Sequence, residues 1–143
     1  MSQTNEEYKS LDEILSLVMR FETCEIEPKD FSHGAHITVA VWYLTQSDFD
    51  EAEKKMKEGL FRFLSHYKLE GYNETITIFW LKFLKSLLKR FEDDISLVQV
   101  INETVKSCAD SRIIFRYYSK EFVDTDEAKT SWVEPDLKCF DLY

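Results

Sequence analysis

Apolar residues recur every three or four positions along most of this chain, which is the spacing of an amphipathic α-helix. A capping-box pattern from Ser10 to Glu13 begins the first predicted helix. Its apolar stripe consists of Leu11, Ile14, Leu15, Val18 and Met19. A second helix is predicted over residues 31–44, with Ser32 as its amino-terminal cap. This second segment is apolar almost all round, which indicates a central position in a helical bundle.

Three further helices are predicted from the same spacing. A capping-box pattern from Asp48 to Glu51 begins the third, whose apolar stripe consists of Ala52, Met56, Leu60, Phe63, Leu64 and Tyr67. Asn73 is placed to cap a fourth, whose stripe consists of Ile76, Phe79, Trp80, Phe83, Leu84, Leu87, Leu88 and Phe91. A fifth is predicted over residues 95–108, with a stripe of Leu97, Val98, Ile101, Val105 and Cys108.

The two ends of the chain differ from this regular pattern. Residues 1–9 are polar and are expected to be frayed, whereas residues 119–143 are expected to dock as a tail on the bundle. Before that tail, a short sixth helix is predicted over residues 112–118, and the spacing of Asp124 and Glu127 indicates another capped turn. The chain is therefore predicted to form one all-α domain over residues 1–143, a single-domain bundle of five or six helices.

Composition and charge narrow the classes of function. With only three glycines and two prolines in 143 residues, a fold of many short strands and tight turns is disfavoured. The formal charge of −9 disfavours binding to nucleic acid and to anionic membrane surfaces. Cys24, Cys108 and Cys139 lack disulfide or zinc-knuckle spacing, and the amino terminus lacks the pattern of a signal peptide. We therefore predict an acidic cytoplasmic protein with reduced thiols.

Four polar residues interrupt otherwise apolar helices and are the candidate functional site. His33 and His36 stand at the start of the second predicted helix, and Asn73 and Glu74 stand at the start of the fourth. We call these residues the polar quartet. Because both helices direct apolar stripes to one core, the quartet is expected to converge, and buried polar groups there need partners.

One interpretation of the quartet is a metal site. His33, His36 and Glu74 would supply two imidazoles and one carboxylate, the ligand set of catalytic zinc and of non-haem iron centres. The cofactor would then be a divalent metal, either zinc or iron. The third histidine, His66, lies at the far end of another predicted helix and is expected to face solvent.

A second interpretation is metal-free acid–base chemistry on a small organic ligand. His36 or His33 would act as the base, and Glu74 would orient it. The ligand would lie in a partly aromatic pocket formed by His33, Asn73, Trp42, Tyr72 and Trp80. Under either of these interpretations the buried polar site binds a small molecule or a metal, and the pattern leaves open whether the protein is an enzyme.

A third interpretation is structural. Ser32 and His33 would cap the second helix, Asn73 would cap the fourth, and Glu74 would pair with His36 across the interface between them. The protein would then be a non-catalytic protein-interaction module with an acidic surface. None of these patterns specifies an oligomeric state.

Four motifs occur in order along residues 31–137: His33-x-x-His36, Tyr72-Asn-Glu-Thr-x-Thr77, Tyr117-Tyr-Ser119 and Trp132-Val-Glu-Pro-Asp-Leu137. In these motifs the chain resembles a family of small uncharacterised bacterial α-helical proteins. The resemblance implies a shared helical fold without implying an activity. The relatives have histidine where this chain has Asn73, so a metal held through that histidine would lose one ligand here.

Overall fold

A computed structural model describes residues 7–139, and this part of the chain is entirely helical and irregular, without strands. Its α-helices are α1 (Leu11–Glu22), α2 (His33–Gln46), α3 (Phe49–Tyr67), α4 (Glu74–Leu88), α5 (Leu97–Ser107), α6 (Lys120–Val123) and α7 (Asp126–Thr130). Short 3-10 segments occur at Pro28–Asp30 and Ser111–Arg116. The prediction of an all-α bundle is confirmed, with α1 to α5 as its long helices.

The long helices begin at polar residues because those side chains satisfy backbone N–H groups that have no partner inside the helix. Ser10, Ser32, Asp48 and Asn73 each accept a hydrogen bond from the backbone N–H three residues further on, as predicted for α1 to α4. Ser96 caps α5 in the same way, so α5 begins two residues later than predicted.

The carboxyl-terminal elements differ from the prediction in two places. The sixth helix predicted over residues 112–118 is the 3-10 segment Ser111–Arg116. The cap of α7 is Thr125, whose hydroxyl accepts a hydrogen bond from the N–H of Ala128 at 3.2 Å. Asp124, the predicted cap, instead lies 3.6 Å from the ammonium group of Lys120.

Helix α2 is the centre of the bundle, as its all-round apolar sequence predicted. It packs against α1, α3, α4 and α5. Val39 and Val41 lie on different sides of α2 and are both fully buried. Although α2 is strongly apolar, no helix within residues 7–139 combines the length and the hydropathy needed to cross a bilayer.

Both ends of the described chain are tied to the bundle. The backbone N–H and carbonyl of Tyr8 bond to the Asn102 side chain at 2.9 Å each, so the fraying predicted for residues 1–9 does not extend to Tyr8. Residues 1–6 and 140–143 lie outside the described part. Near the other end, Asp136 accepts hydrogen bonds from the N–H and hydroxyl of Ser119, and Tyr118 donates to the carbonyl of Val133 at 2.6 Å. The tail thus docks through hydrogen bonds on both sides of Pro135.

Candidate functional site

His33, the first residue of α2, joins that helix to the end of α5. Its Nε2–H donates to the backbone carbonyl of Cys108 at 2.8 Å. Cys108 is the carboxyl-terminal cap of α5, where carbonyls lack partners inside the helix. The ring also packs edge-on against Trp80 of α4, with 5.0 Å between ring centroids. His33 therefore connects three helices.

His36, one turn further along α2, bonds within its own helix end. Its Nδ1–H donates to the carbonyl of Ser32 at 2.9 Å, and its ring lies 3.9 Å from that of Phe31, centroid to centroid. Burial lowers the pKa of His36 below the usual 6.5, the hydrogen bond to Ser32 opposes this shift, and nearby His33 adds to it. The folded protein thus favours the neutral imidazole.

Asn73 uses both ends of its amide. The oxygen caps α4 by accepting from the N–H of Ile76 at 3.0 Å. The NH₂ group donates to the carbonyl of Val123, at the end of α6, at 2.8 Å. Asn73 is only 8% exposed to solvent. Asn73 is therefore both a cap and a tie between α4 and α6.

Glu74 belongs to a partly buried cluster with Glu53, Lys57 and Tyr72, which we call the Glu74 cluster. One carboxylate oxygen accepts from the Tyr72 hydroxyl at 2.6 Å, and the other lies 2.5 Å from the Lys57 ammonium group. Lys57 also lies 2.7 Å from Glu53. Burial alone would lower the pKa of Lys57, but the hydrogen bonds that it donates to Glu53 and Glu74 raise this pKa overall. Burial and the bond to Glu74 raise the pKa of Tyr72.

The quartet does not form one site. His36 stacks on Phe31, which lies 5.1 Å from the ring of Phe63 on α3, whereas Glu74 contacts Lys57 of the same helix. Lys57 and Phe63 are six residues apart, so their side chains leave α3 in directions about 120° apart. Glu74 therefore meets α3 at Lys57, whereas Phe31, on which His36 stacks, meets α3 on another flank. The hydrogen bonds described above replace the predicted pairing of His36 with Glu74.

The predicted metal ligands are separated for the same reason. A histidine that donates one N–H to a backbone carbonyl can still bind a metal through its other nitrogen, so the bonds of His33 and His36 alone do not decide the matter. The decisive feature is Glu74, because its two carboxylate oxygens contact Tyr72 and Lys57 and neither contacts a histidine. Within residues 7–139 no three His, Cys, Asp or Glu side chains are grouped to hold a metal ion.

The three aromatic residues predicted to line a pocket pack against different neighbours. Trp80 packs on His33, Tyr72 stacks on Phe61 with 4.4 Å between centroids, and Trp42 packs against the main core. A cavity of about 290 Å³ does exist, but its lining contains none of these residues: it consists of Leu44, Ser47, Asp48, Phe49, Lys85, Leu88 and Lys89. In the sequence, the i, i+4 spacing of Lys85 and Lys89 is the pattern that marks one wall of this cavity.

The cysteines are placed as structural residues. Cys24 and Cys108 are buried and Cys139 is exposed, and all three are free thiols. Burial raises the pKa of Cys108 to about 11, so its thiolate is scarce at neutral pH. Cys24 adopts a positive φ of 59° where the chain leaves α1, a backbone conformation that costs energy for a residue with a Cβ.

The lowered pKa of His36 predicts a specific pH dependence of stability. In the unfolded chain His36 gains a proton as the pH falls through about 6.5, while the folded protein resists protonation until lower pH. Lowering the pH from 7.5 to 5.5 should therefore destabilise the wild type more than a His36→Gln variant, as measured by urea unfolding at each pH. Equal losses in the two proteins would show that His36 titrates alike in both states.

Comparison of the chain with protein-family models, with curated proteins and with solved structures finds no match. The resemblance to the small bacterial family stays a prediction based on the four motifs. In the structure, the last two motifs bond to each other, since Tyr118 donates to Val133 and Ser119 donates to Asp136. The first motif bonds to the end of α5, and the second bonds to the end of α6.

Proposed function

We propose that this protein is a non-catalytic interaction module of the cytoplasm and that its polar quartet holds the helices together. The observation that supports this proposal is the position of Glu74, which is bonded to Tyr72 and to Lys57, whereas His36 bonds to the carbonyl of Ser32. Within residues 7–139, no carboxylate is bonded to His36 to orient it for base catalysis, and Glu74 is not grouped with the two histidines as a metal ligand. Each quartet residue instead bonds to a neighbouring segment or caps a helix.

The proposed binding surface is an aromatic face formed by Phe61 and Tyr72. Phe61 is 51% exposed on α3, and its ring rests on that of Tyr72. The Tyr72 hydroxyl is bonded to Glu74, and Glu74 is bonded to Lys57. The Tyr72 side chain is therefore ordered before any partner binds. Exposed, preordered aromatic side chains are typical of residues that contribute strongly to protein–protein affinity.

The charges around the aromatic face favour a basic protein partner. Glu53 and Glu74 share the single cation of Lys57, which leaves the Glu74 cluster with a net negative charge. Exposed Glu58 lies one turn before Phe61, and the whole chain has a formal charge of −9. The partner we propose is a protein segment that presents an apolar side chain to the aromatic face and Lys or Arg to these carboxylates.

A cytoplasmic location is supported by the thiols. Cys24 and Cys108 are buried without a disulfide, and Cys139 is exposed and free. Free thiols persist in reducing compartments, whereas secreted domains of this size commonly form disulfides.

Site-specific photo-crosslinking tests the proposed surface. A benzophenone amino acid would replace Phe61 in the full chain in its native cells, and in a matched control it would replace Phe115, which is 38% exposed in the 3-10 segment after α5. We expect a discrete protein adduct from position 61 only. With the captured partner purified, Phe61→Ser should weaken binding by about tenfold or more, whereas Phe115→Ser should not. Raising the salt concentration should also weaken binding.

Two results would contradict the proposal. The first is the same set of adducts from both positions, or a partner whose affinity is unchanged by Phe61→Ser. The second is stoichiometric zinc or iron in protein purified without chelator or nickel resin, lost in Glu74→Gln. That metal result would restore the metal-site interpretation.

A further inference from the structure

A cavity of about 290 Å³ opens where the ends of three helices meet, away from the aromatic face. Leu44 comes from the end of α2, Phe49 from the start of α3, and Leu88 from the end of α4. All three side chains are partly buried and pack against the main core. The cavity therefore has an apolar floor that is continuous with the core and is still open to solvent.

Two cations stand on the wall of this cavity. Lys85 and Lys89 are one turn apart at the end of α4, so their side chains share one face of the helix. The Lys85 ammonium lies over the Phe49 ring, 5.2 Å from its centroid. Neither lysine forms a salt bridge within residues 7–139. Most lysines of residues 7–139 likewise lack a salt bridge, so what distinguishes these two is their place on the wall of an apolar cavity.

The remaining polar lining reduces this positive charge without cancelling it. Asp48 caps α3 by accepting from the N–H of Glu51 at 2.9 Å, and Ser47 donates its hydroxyl to the carbonyl of Tyr43 at 3.0 Å. Both groups are thus committed to helix ends. The lining as a whole contains two ammonium groups and one carboxylate, which gives a net charge of +1.

We propose that this cavity binds a small free carboxylic acid with an apolar chain. The chain would cover Leu44, Phe49 and Leu88, and the carboxylate would lie between the ammonium groups of Lys85 and Lys89. The volume is near the lower end for ligand pockets, which favours molecules of about ten heavy atoms. For such a ligand in an open cavity, a dissociation constant on the order of 0.1–1 mM is expected.

Octanoate is a suitable probe because it has both parts of this chemistry. The full chain, labelled with ¹⁵N, would be titrated with octanoate, with octan-1-ol as the uncharged analogue and with acetate as the anion without the chain. We expect saturable amide shifts confined to the cavity lining for octanoate, about tenfold weaker binding of octan-1-ol, and no saturation by acetate. Equal affinities for octanoate and octan-1-ol, or shifts spread over other apolar surfaces, would overturn the proposal.

Lysine-to-methionine variants test the two cations, because methionine keeps an apolar side chain of similar length without the charge. The double variant Lys85→Met, Lys89→Met should bind octanoate about tenfold more weakly. Lys106→Met, an exposed control on α5, should bind octanoate as the wild type does. Helical circular dichroism would verify that all variants are folded. Unchanged octanoate affinity in the folded double variant would overturn the proposal.

The cavity and the aromatic face can be tested independently. Glu74 begins α4 and Lys89 caps its end, so the 15-residue helix separates them by about 22 Å. Octanoate binding should therefore be unchanged in Phe61→Ser, and partner binding should be unchanged in the double lysine variant. Failure of one proposal thus leaves the result for the other intact.

Discussion

Replacing Asn73 by alanine is expected to lower the free energy of unfolding by about 1.5–5 kcal/mol. Two losses add up in this variant. The amino-terminal cap of α4 disappears, which costs about 0.5–2 kcal/mol. The carbonyl of Val123 also loses its donor, and a buried acceptor without a partner costs about 1–3 kcal/mol. Urea unfolding monitored by circular dichroism measures the sum.

Two controls separate these losses. Ser96→Ala removes only an exposed cap, that of α5, and should cost about 1 kcal/mol. Asn73→Asp keeps an acceptor for the N–H of Ile76 but has no donor for Val123, so it should remain less stable than the wild type. An Asn73→Asp protein with wild-type stability would show that the tie to α6 contributes nothing.

The Asn73→His variant tests the ligand histidine that the resemblance implies for the relatives. Because Glu74 is bonded to Lys57 and Tyr72 and is not grouped with the two histidines, we expect this variant to be less stable than the wild type and unaffected by added zinc or iron. A metal-dependent rise of its melting temperature, absent from the wild type, would instead indicate a site that has lost one ligand in this chain.

Gly59→Ala is expected to destabilise the protein by about 1–2 kcal/mol, although alanine is the better helix former. A Cβ at position 59 would lie 2.7 Å from Cζ of Phe21 and nearer still to its Cε2. The Phe21 ring cannot move freely, since it is fully buried and stacks on Phe31 with 4.7 Å between centroids. Overpacking of a core costs about 1–3 kcal/mol, which exceeds the gain of about 1 kcal/mol in helix propensity.

Gly34→Ala is the matched control, for which we expect no loss of stability. A Cβ at position 34 would meet Val105 at 3.5 Å and Ser32 at 3.8 Å, both ordinary van der Waals contacts. This substitution in α2 should therefore be neutral or should stabilise the protein by up to about 1 kcal/mol. If denaturant unfolding shows both alanine variants to be stabilised, the close packing of α1 on α3 at Gly59 is not rigid.

Local physical chemistry explains why so much of the fold was predictable. A cap bonds to an N–H only three residues away, so Ser10, Ser32, Asp48 and Asn73 could be recognised without any knowledge of the tertiary structure. The central position of α2 was likewise predictable, because a helix that is apolar all round can avoid water only by being enclosed. The start of α7 shows the limit of this approach. Asp124 was the predicted cap and Thr125 is the observed one, and both are capping residue types and neighbours in sequence.

The candidate site was not predictable to the same degree, because it depends on which flanks of different helices meet. The pattern of caps and apolar stripes places His33, His36, Asn73 and Glu74 at the first turns of α2 and α4. Whether Glu74 meets Lys57 or His36 is decided only when the helices pack, because it depends on how α3 and α4 are rotated about their axes. The same holds for the exposure of Phe61 and for the cavity beside Lys85. An apolar stripe on a helix indicates which residues can be buried, and the packing of neighbouring helices decides which of them are buried.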